Sequence, residues 1–312
     1  MYGEPFECLE KSEMHPWVAL IFDAMRTGEM IVFFKRYSIT RVLVNILIGK
    51  KMAAARADHK ALTKERTDRR VALGAEGNGK KDFMWYILKN NTDKGGMSDM
   101  EIKMNSEALI VAGSETTATC LSATAHLLGK NPEIMKTVLE EVRPRYTSED
   151  QITIKTTTDL IYMQACIEES LRMFPPAVVS PTRLSPGDFV GGYYIPKNTK
   201  VHLHQHASYR SPGNWHRPDD YRPERFLPKD HPLYDASFAK DNKKSFNPFS
   251  FGPANCIGKN LAYAELRLIM ARLLWRFDLL PQPGSEAWMD GMRAYTLWDK
   301  PPLMMKFANA EH

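Results

Sequence analysis

Cysteine is scarce in this chain: there are 4 in 312 residues, at Cys8, Cys120, Cys166 and Cys256. None stands in a C-x-x-C pair, and the spacings match neither a zinc site nor a disulfide framework. That excludes a small disulfide-stapled fold, and the four read as reduced thiols of a cytosol-facing protein. Long apolar runs are missing as well. The best, Val42 to Ile48, falls far short of the ~20 residues a membrane-spanning helix needs. The opening, Met1 to Phe6, is neither basic nor apolar enough for a signal peptide, so the N-x-T sequon at Asn90 carries little weight. Charge of one sign is only mildly in excess, at +5. The densest basic stretch, Lys50 to Arg70, also carries Asp58, Glu65 and Asp68 and has no interleaved aromatics. It reads as a solvated helix face and argues against a nucleic-acid partner. Internal repeats and a regular β-α-β alternation are absent too.

What is present is a globular composition. Hydrophobic residues make up 43% of the chain, ample for one large domain or two ordinary ones. The first two-thirds read as helical: Trp17 to Phe34, a long charged helix from Ile39 to Ala72, and a short one from Asp82 to Leu88 after the polar break Gly74 to Lys81. Ser98-Asp99-Met100-Glu101 matches a capping box, which predicts a helix from Ser98 to about Leu128. Asn131-Pro132 opens another that runs to about Arg145. A third spans Thr158 to Met173 and is stopped by Pro175-Pro176. Strand signals come later, with Phe189 to Ile195 and Lys200 to His206 predicted to pair as a hairpin around Pro196-Lys197-Asn198-Thr199. A Pro-rich irregular stretch from Ser211 to Pro253 precedes a last helix, from just after Cys256 to Phe277. The fold class is mainly α with a small β portion.

Chemistry concentrates in Phe249-Ser250-Phe251-Gly252-Pro253-Ala254-Asn255-Cys256-Ile257-Gly258. Cys256 precedes a helix N-terminus, where free N–H groups favour an anion. Gly252 and Gly258 let backbone come close to a flat group. Taken alone, a single cysteine is more often a buried inert one. A rival constellation is His202, His204 and His206, which a strand would place on one face, with His216 nearby; it reads better as a polar strand edge than as a metal site.

The loop resembles the haem-ligand loop of the cytochrome P-450 family, F-x-x-G-x-R-x-C-x-G, at Phe249, Gly252, Cys256 and Gly258. Three more segments match in the family's order: Ala112-Gly113-Ser114-Glu115-Thr116-Thr117 (A-G-x-E-T-T), Glu169-Ser170-Leu171-Arg172 (E-x-x-R) and Pro223-Glu224-Arg225-Phe226 (P-E-R-F). With Gly258-Lys259-Asn260-Leu261-Ala262, the wording is most similar to fungal secondary-metabolism members. The resemblance covers essentially the whole chain. It implies haem b with Cys256 as the axial thiolate to iron, and Arg183 on a haem propionate. It also implies a network of Glu169, Arg172 and Arg225 behind the haem, which fixes shape more than it adds stability. Val178, Val179 and Ala112 would line the substrate pocket. Glu115 and Thr116 would deliver protons; mid-helix, the Thr116 hydroxyl can bond the Ala112 carbonyl and, with Gly113, open a notch for dioxygen.

The implied function is a monooxygenase that hydroxylates or epoxidises a lipophilic fungal metabolite, with electrons from NADPH through NADPH-cytochrome P-450 reductase. Two departures qualify the match. Position 254 is Ala where the family usually has a propionate-binding arginine, a charge-assisted contact of about 1.5–3 kcal/mol. The opening residues resemble a mid-chain segment of full-length relatives, so residues 1–312 are expected to be one incomplete domain, the C-terminal part of the fold. The missing part would carry most of the sheet and the anchor that holds relatives on the cytosolic face of the endoplasmic reticulum. The alternative expectation is a non-catalytic remnant that binds haem weakly or not at all.

Overall fold

The computed structural model describes residues 7–11, scattered positions between 28 and 58, and residues 61–77, 79, 81–92, 95–295 and 297–311. Most of the predicted helix 17–34 and half of the predicted helix 39–72 lie outside the described residues. The chain divides into two compact units, Met1–Ser114 and Glu115–His312.

In the first unit residues 61–72 are helical, and Gly74 ends the segment at φ 67, a conformation glycine adopts without strain. The buried Arg70 grips Asp82 through two hydrogen bonds, Nε to Oδ2 at 3.0 Å and Nη2 to Oδ1 at 2.9 Å. Asp82 in turn accepts from Trp85 N and caps α1 (Phe83–Asn90). One carboxylate thereby closes the polar break and starts the next helix. The expected capping box is formed: Glu101 Oε2 accepts from Ser98 N at 2.8 Å, and Ser98 Oγ accepts from Glu101 N at 3.3 Å. It opens α2 (Asp99–Lys130), within which the boundary between the units falls.

The second unit is organised by α3 (Pro132–Val142), α4 (Ile161–Met173) and α6 (Lys259–Arg276), with α5 (Gln205–Tyr209) between the last two. Ile134, Val138 and Val142 recur four residues apart on α3 and are buried with Met163 and Cys166 of α4 and Met270, Ala271 and Leu274 of α6. Full burial of each large apolar side chain stabilises the unit by roughly 1.5–3 kcal/mol. The chain does not enter α4 directly, as the expected start at Thr158 implied; a 3-10 turn, Thr156–Asp159, comes first. Leu160, at the N-cap, has no side chain able to accept. Glu141 of α3 supplies the cap, its two oxygens accepting from Tyr162 N and Met163 N, both at 2.8 Å.

The β portion consists of two-stranded sheets, and it corrects the predicted hairpin. Phe189 to Ile195 is not one strand. It is itself a hairpin in which β2 (Asp188–Val190) pairs antiparallel with β3 (Tyr193–Ile195). Gly191 and Gly192 make the turn at φ 59 and 88, the paired positive angles a tight two-residue loop requires. The Pro196–Thr199 turn does form, with Thr199 N donating to Pro196 O, but it links two sheets. β4 (Lys200–Val201) pairs with β1 (Arg183–Leu184). This strand ends at Val201, and the chain enters α5 at Gln205. His202, His204 and His206 therefore do not share a strand face; the third packs its ring on Trp298 at 5.3 Å. Two C-terminal pairs lay outside the sequence expectation: β5 (Phe277–Pro281) with β8 (Met305–Asn309), and β6 (Arg293–Ala294) with β7 (Trp298–Asp299). No helix among the described residues is long and apolar enough to cross a membrane.

Candidate functional site

The Cys256 loop is shaped by its own backbone. Cys256 N donates to Phe249 O at 2.8 Å, and Asn255 N donates to Gly252 O at 3.0 Å. Two residues inside this closure take left-handed angles, Ser250 at φ 63 and Gly252 at φ 78. Only glycine takes the second without strain, although open space surrounds it. Gly258 is the N-cap of α6, and a Cβ there would lie 3.8 Å from Cys256 Sγ, so its absence keeps the flank of the sulfur bare. The loop is anchored at one end. Phe249 packs on Tyr263 at 4.9 Å and against the buried cluster of Cys120, Ile167, Leu171 and Leu266. Cys120 stands one helical turn after Thr116 on α2, so that turn of α2 and the loop meet in one cluster.

The rest of the loop is open. Cys256 is an exposed free cysteine, flanked by Phe251 at 85% and Ile257 at 93% exposure. Large apolar side chains so exposed around a single thiol make a surface suited to a broad apolar ligand.

Behind the loop the situation reverses. Glu169 accepts from Arg172 Nε and Nη2 at 2.7 and 2.8 Å, from Arg225 Nε at 3.0 Å and from Arg222 N at 2.9 Å. The other guanidinium bonds of Arg172 go to backbone carbonyls, with Nη1 reaching Tyr209 O and Pro218 O, both at 2.7 Å. A fourth member was missed from sequence: Asp241, whose Oδ2 accepts from Arg225 Nη1 at 2.5 Å. Its side chain and those of Glu169, Arg172 and Arg225 are fully buried, two anions against two cations. Trp215 lies against both guanidinium groups, 5.4 and 5.8 Å from its ring centre. The local spacing of Glu169 and Arg172 is a readable helix pair; nothing near Asp241 signals its role.

On α2, Thr116 is half-buried, and Glu115 is ion-paired with Lys300 Nζ. The same ammonium donates to Thr119 Oγ1 at 2.7 Å, and Thr119 Oγ1 lies 3.3 Å from Glu115 Oε1. Lys300 was absent from the sequence expectation, because 185 positions separate it from Glu115. A Cβ at Gly113 would meet nothing within 4 Å, so that helix turn carries open space beside it. Ala112 is exposed, one turn before Thr116. Val178 is buried, its carbonyl accepting from His206 N at 3.3 Å, and Val179 bridges His204. Arg183, on β1, is exposed and makes no ion pair among the described residues.

These features fit a large flat group carrying a metal. A single exposed thiol stands ahead of a helix, no side chain competes for it among the described residues, its loop also exposes the apolar Phe251 and Ile257, and Arg183 is exposed and open to a carboxylate.

Comparison with known proteins gives a consistent picture. The family model described as cytochrome P-450 matches residues 1–307. The cytochrome P-450 monooxygenase astA of Talaromyces wortmannii is 39% identical over 307 residues, covering 98% of this chain and 60% of its own length. Trichothecene C-15 hydroxylase of Fusarium sporotrichioides is 37% identical, with 97% of this chain and 60% of that protein covered. Averantin hydroxylase of Dothistroma septosporum is 36% identical, at 98% and 57%. The chain spans about 60% of the length of these curated relatives.

Proposed function

The chain belongs to the cytochrome P-450 family, and from that premise we propose that it acts as a haem-thiolate monooxygenase on a lipophilic small molecule of fungal secondary metabolism. The observation that carries this reading is the exposed Cys256, its N–H held by the Phe249 carbonyl just ahead of α6, in a loop that also exposes Phe251 and Ile257. When bound, haem b supplies dioxygen activation: one oxygen atom enters a C–H or C=C bond and the other leaves as water, with two electrons from NADPH through a reductase and two protons.

The chain's residues divide the remaining work. Cys256 Sγ is the thiolate donor to iron, and the peptide N–H groups after it moderate how strongly it donates. Gly252 and Gly258 leave room for the macrocycle's face. Arg183 pairs with a propionate carboxylate. Thr116 Oγ1 and the Glu115 carboxylate hold and pass protons by way of water. Val178 and Val179 line the substrate side, and Ala112 keeps the role that its motif implies. Hydroxylation is the favoured outcome, because two relatives are hydroxylases by name.

The test is spectroscopic. Haem-loaded protein, reduced under carbon monoxide, shows a red-shifted thiolate-type Soret band, and Cys256→Ser abolishes it; an unchanged band in the variant refutes the assignment. For the proton path, Thr116→Ala raises peroxide release at the expense of product. If both stay at parental values, Thr116 has no such role.

A further inference from the structure

Lys300 follows β7, where the chain turns into Pro301-Pro302. Its ammonium is 16% exposed and the Glu115 carboxylate 14% exposed, so neither is freely solvated. The pair is a small network rather than a lone contact, because Thr119 Oγ1 touches both partners. Glu115 and Thr119 lie four residues apart on one face of α2, so a cation placed over both fixes the carboxylate's rotamer against the helix.

The backbone that delivers Lys300 is itself pinned. Trp298 stacks on Phe174 with ring centres 4.4 Å apart and planes 20° apart, and its Nε1 donates to Pro175 O at 2.8 Å. Leu297 bridges Ala177 in antiparallel fashion. Residues 297–300 therefore run from Ala177, the neighbour of Val178 and Val179 read above as substrate-lining, to the acid on α2.

We propose that Lys300 is a positioning residue for proton delivery. Shared between the Glu115 carboxylate and the Thr119 hydroxyl, it sets the direction in which Glu115 presents its oxygens, and the strap 297–300 ties that geometry to the substrate-lining segment. The proposal rests on the reading of Glu115 as a proton carrier. Two consequences distinguish it from a purely structural ion pair. Loss of the ammonium should alter how dioxygen is used, and restoring a cation of different shape should repair that. A change in the packing of 177–179 should also reach Glu115 through the strap.

The experiment uses the full chain and four variants: Lys300→Met, Lys300→Arg, Glu115→Gln and the Lys300→Met/Glu115→Gln double. The first readout needs no turnover. Each single neutral variant lowers the melting temperature by a few degrees, and the double lowers it no further than the larger single, the mark of coupled partners. Additive shifts overturn the pair. The second readout is hydrogen peroxide formed per dioxygen consumed by haem-loaded protein with NADPH and a purified reductase. Lys300→Met raises that fraction to the level of Glu115→Gln, the double goes no higher, and Lys300→Arg returns most of the way to the parent. A parental fraction in Lys300→Met beside a raised one in Glu115→Gln overturns the proposal and leaves the proton-carrier reading intact. A parental fraction in Glu115→Gln removes that reading, and Lys300's role with it.

Discussion

Two neighbouring regions of the second unit handle their chemistry in opposite ways. The network around Glu169 and Arg225 is fully buried, and its carboxylates and guanidinium groups are met by one another or by backbone carbonyls. The Cys256 loop holds a bare thiol between exposed apolar side chains. A saturated region can be rigid because nothing in it waits for a partner. An unsaturated one is left open to bind. The contrast teaches that this part of the molecule is a stiff polar backing with an apolar face mounted on it, joined through Phe249 and α6.

The largest effect that could break this comparison is in thiol reactivity. Burial pushes the Cys120 thiol up to about 12 and the Cys166 thiol well above its usual range. Both thiols stay protonated near neutral pH, and burial also bars access to them. Iodoacetamide should therefore label Cys256 in the folded, haem-free chain and spare Cys120 and Cys166 until denaturant is added. Haem should then protect Cys256 as well. Mass spectrometry of the labelled peptides decides the matter, and equal labelling of all three would dissolve the contrast.

Next in size is Glu169→Ala. It leaves two buried guanidinium groups without their shared carboxylate, which should destabilise the chain by about 3–5 kcal/mol in urea unfolding. A loss under ~1 kcal/mol would mean that the network is not the stiff backing described. A smaller effect is expected from Ala254→Arg in the exposed loop, which should raise haem retention after purification by about 1.5–3 kcal/mol in apparent affinity. No gain would show that Arg183 already meets the carboxylate. Smallest of all should be the stability change in Phe251→Ser and Ile257→Ser. These exposed positions should shift unfolding by less than ~0.5 kcal/mol while clearly weakening haem retention; if stability falls instead, the apolar face is part of the core.

What could be read from sequence follows the distance over which each feature acts. The capping box at Ser98, the helix opened at Asn131-Pro132 and the i,i+3 pair Glu169–Arg172 rest on local spacing, and the structure contains each. The hairpin was misplaced because Pro196 to Thr199 gives the louder turn signal, while Gly191-Gly192 interrupts what reads as one apolar run. β5 follows α6 with no polar break at Arg276-Phe277, so the end of the helix hid the strand. Asp241 and Lys300 act on partners 16 and 185 positions away through tertiary contact, which no local pattern encodes. At the candidate site, the motif residues were legible and the counter-ion of Glu115 was not.

The cap that Glu141 places on α4 has an entropic side. Its bonds to Tyr162 and Met163 close a loop of 21 and 22 positions, whereas Glu169 reaches Arg225 across 56. The shorter closure is less demanding in chain entropy by ~1 kcal/mol. Docking of α3 thus fixes the first turn of the helix that carries Glu169 at a lower loop-closure cost than the contact that brings in Arg225 from the irregular segment.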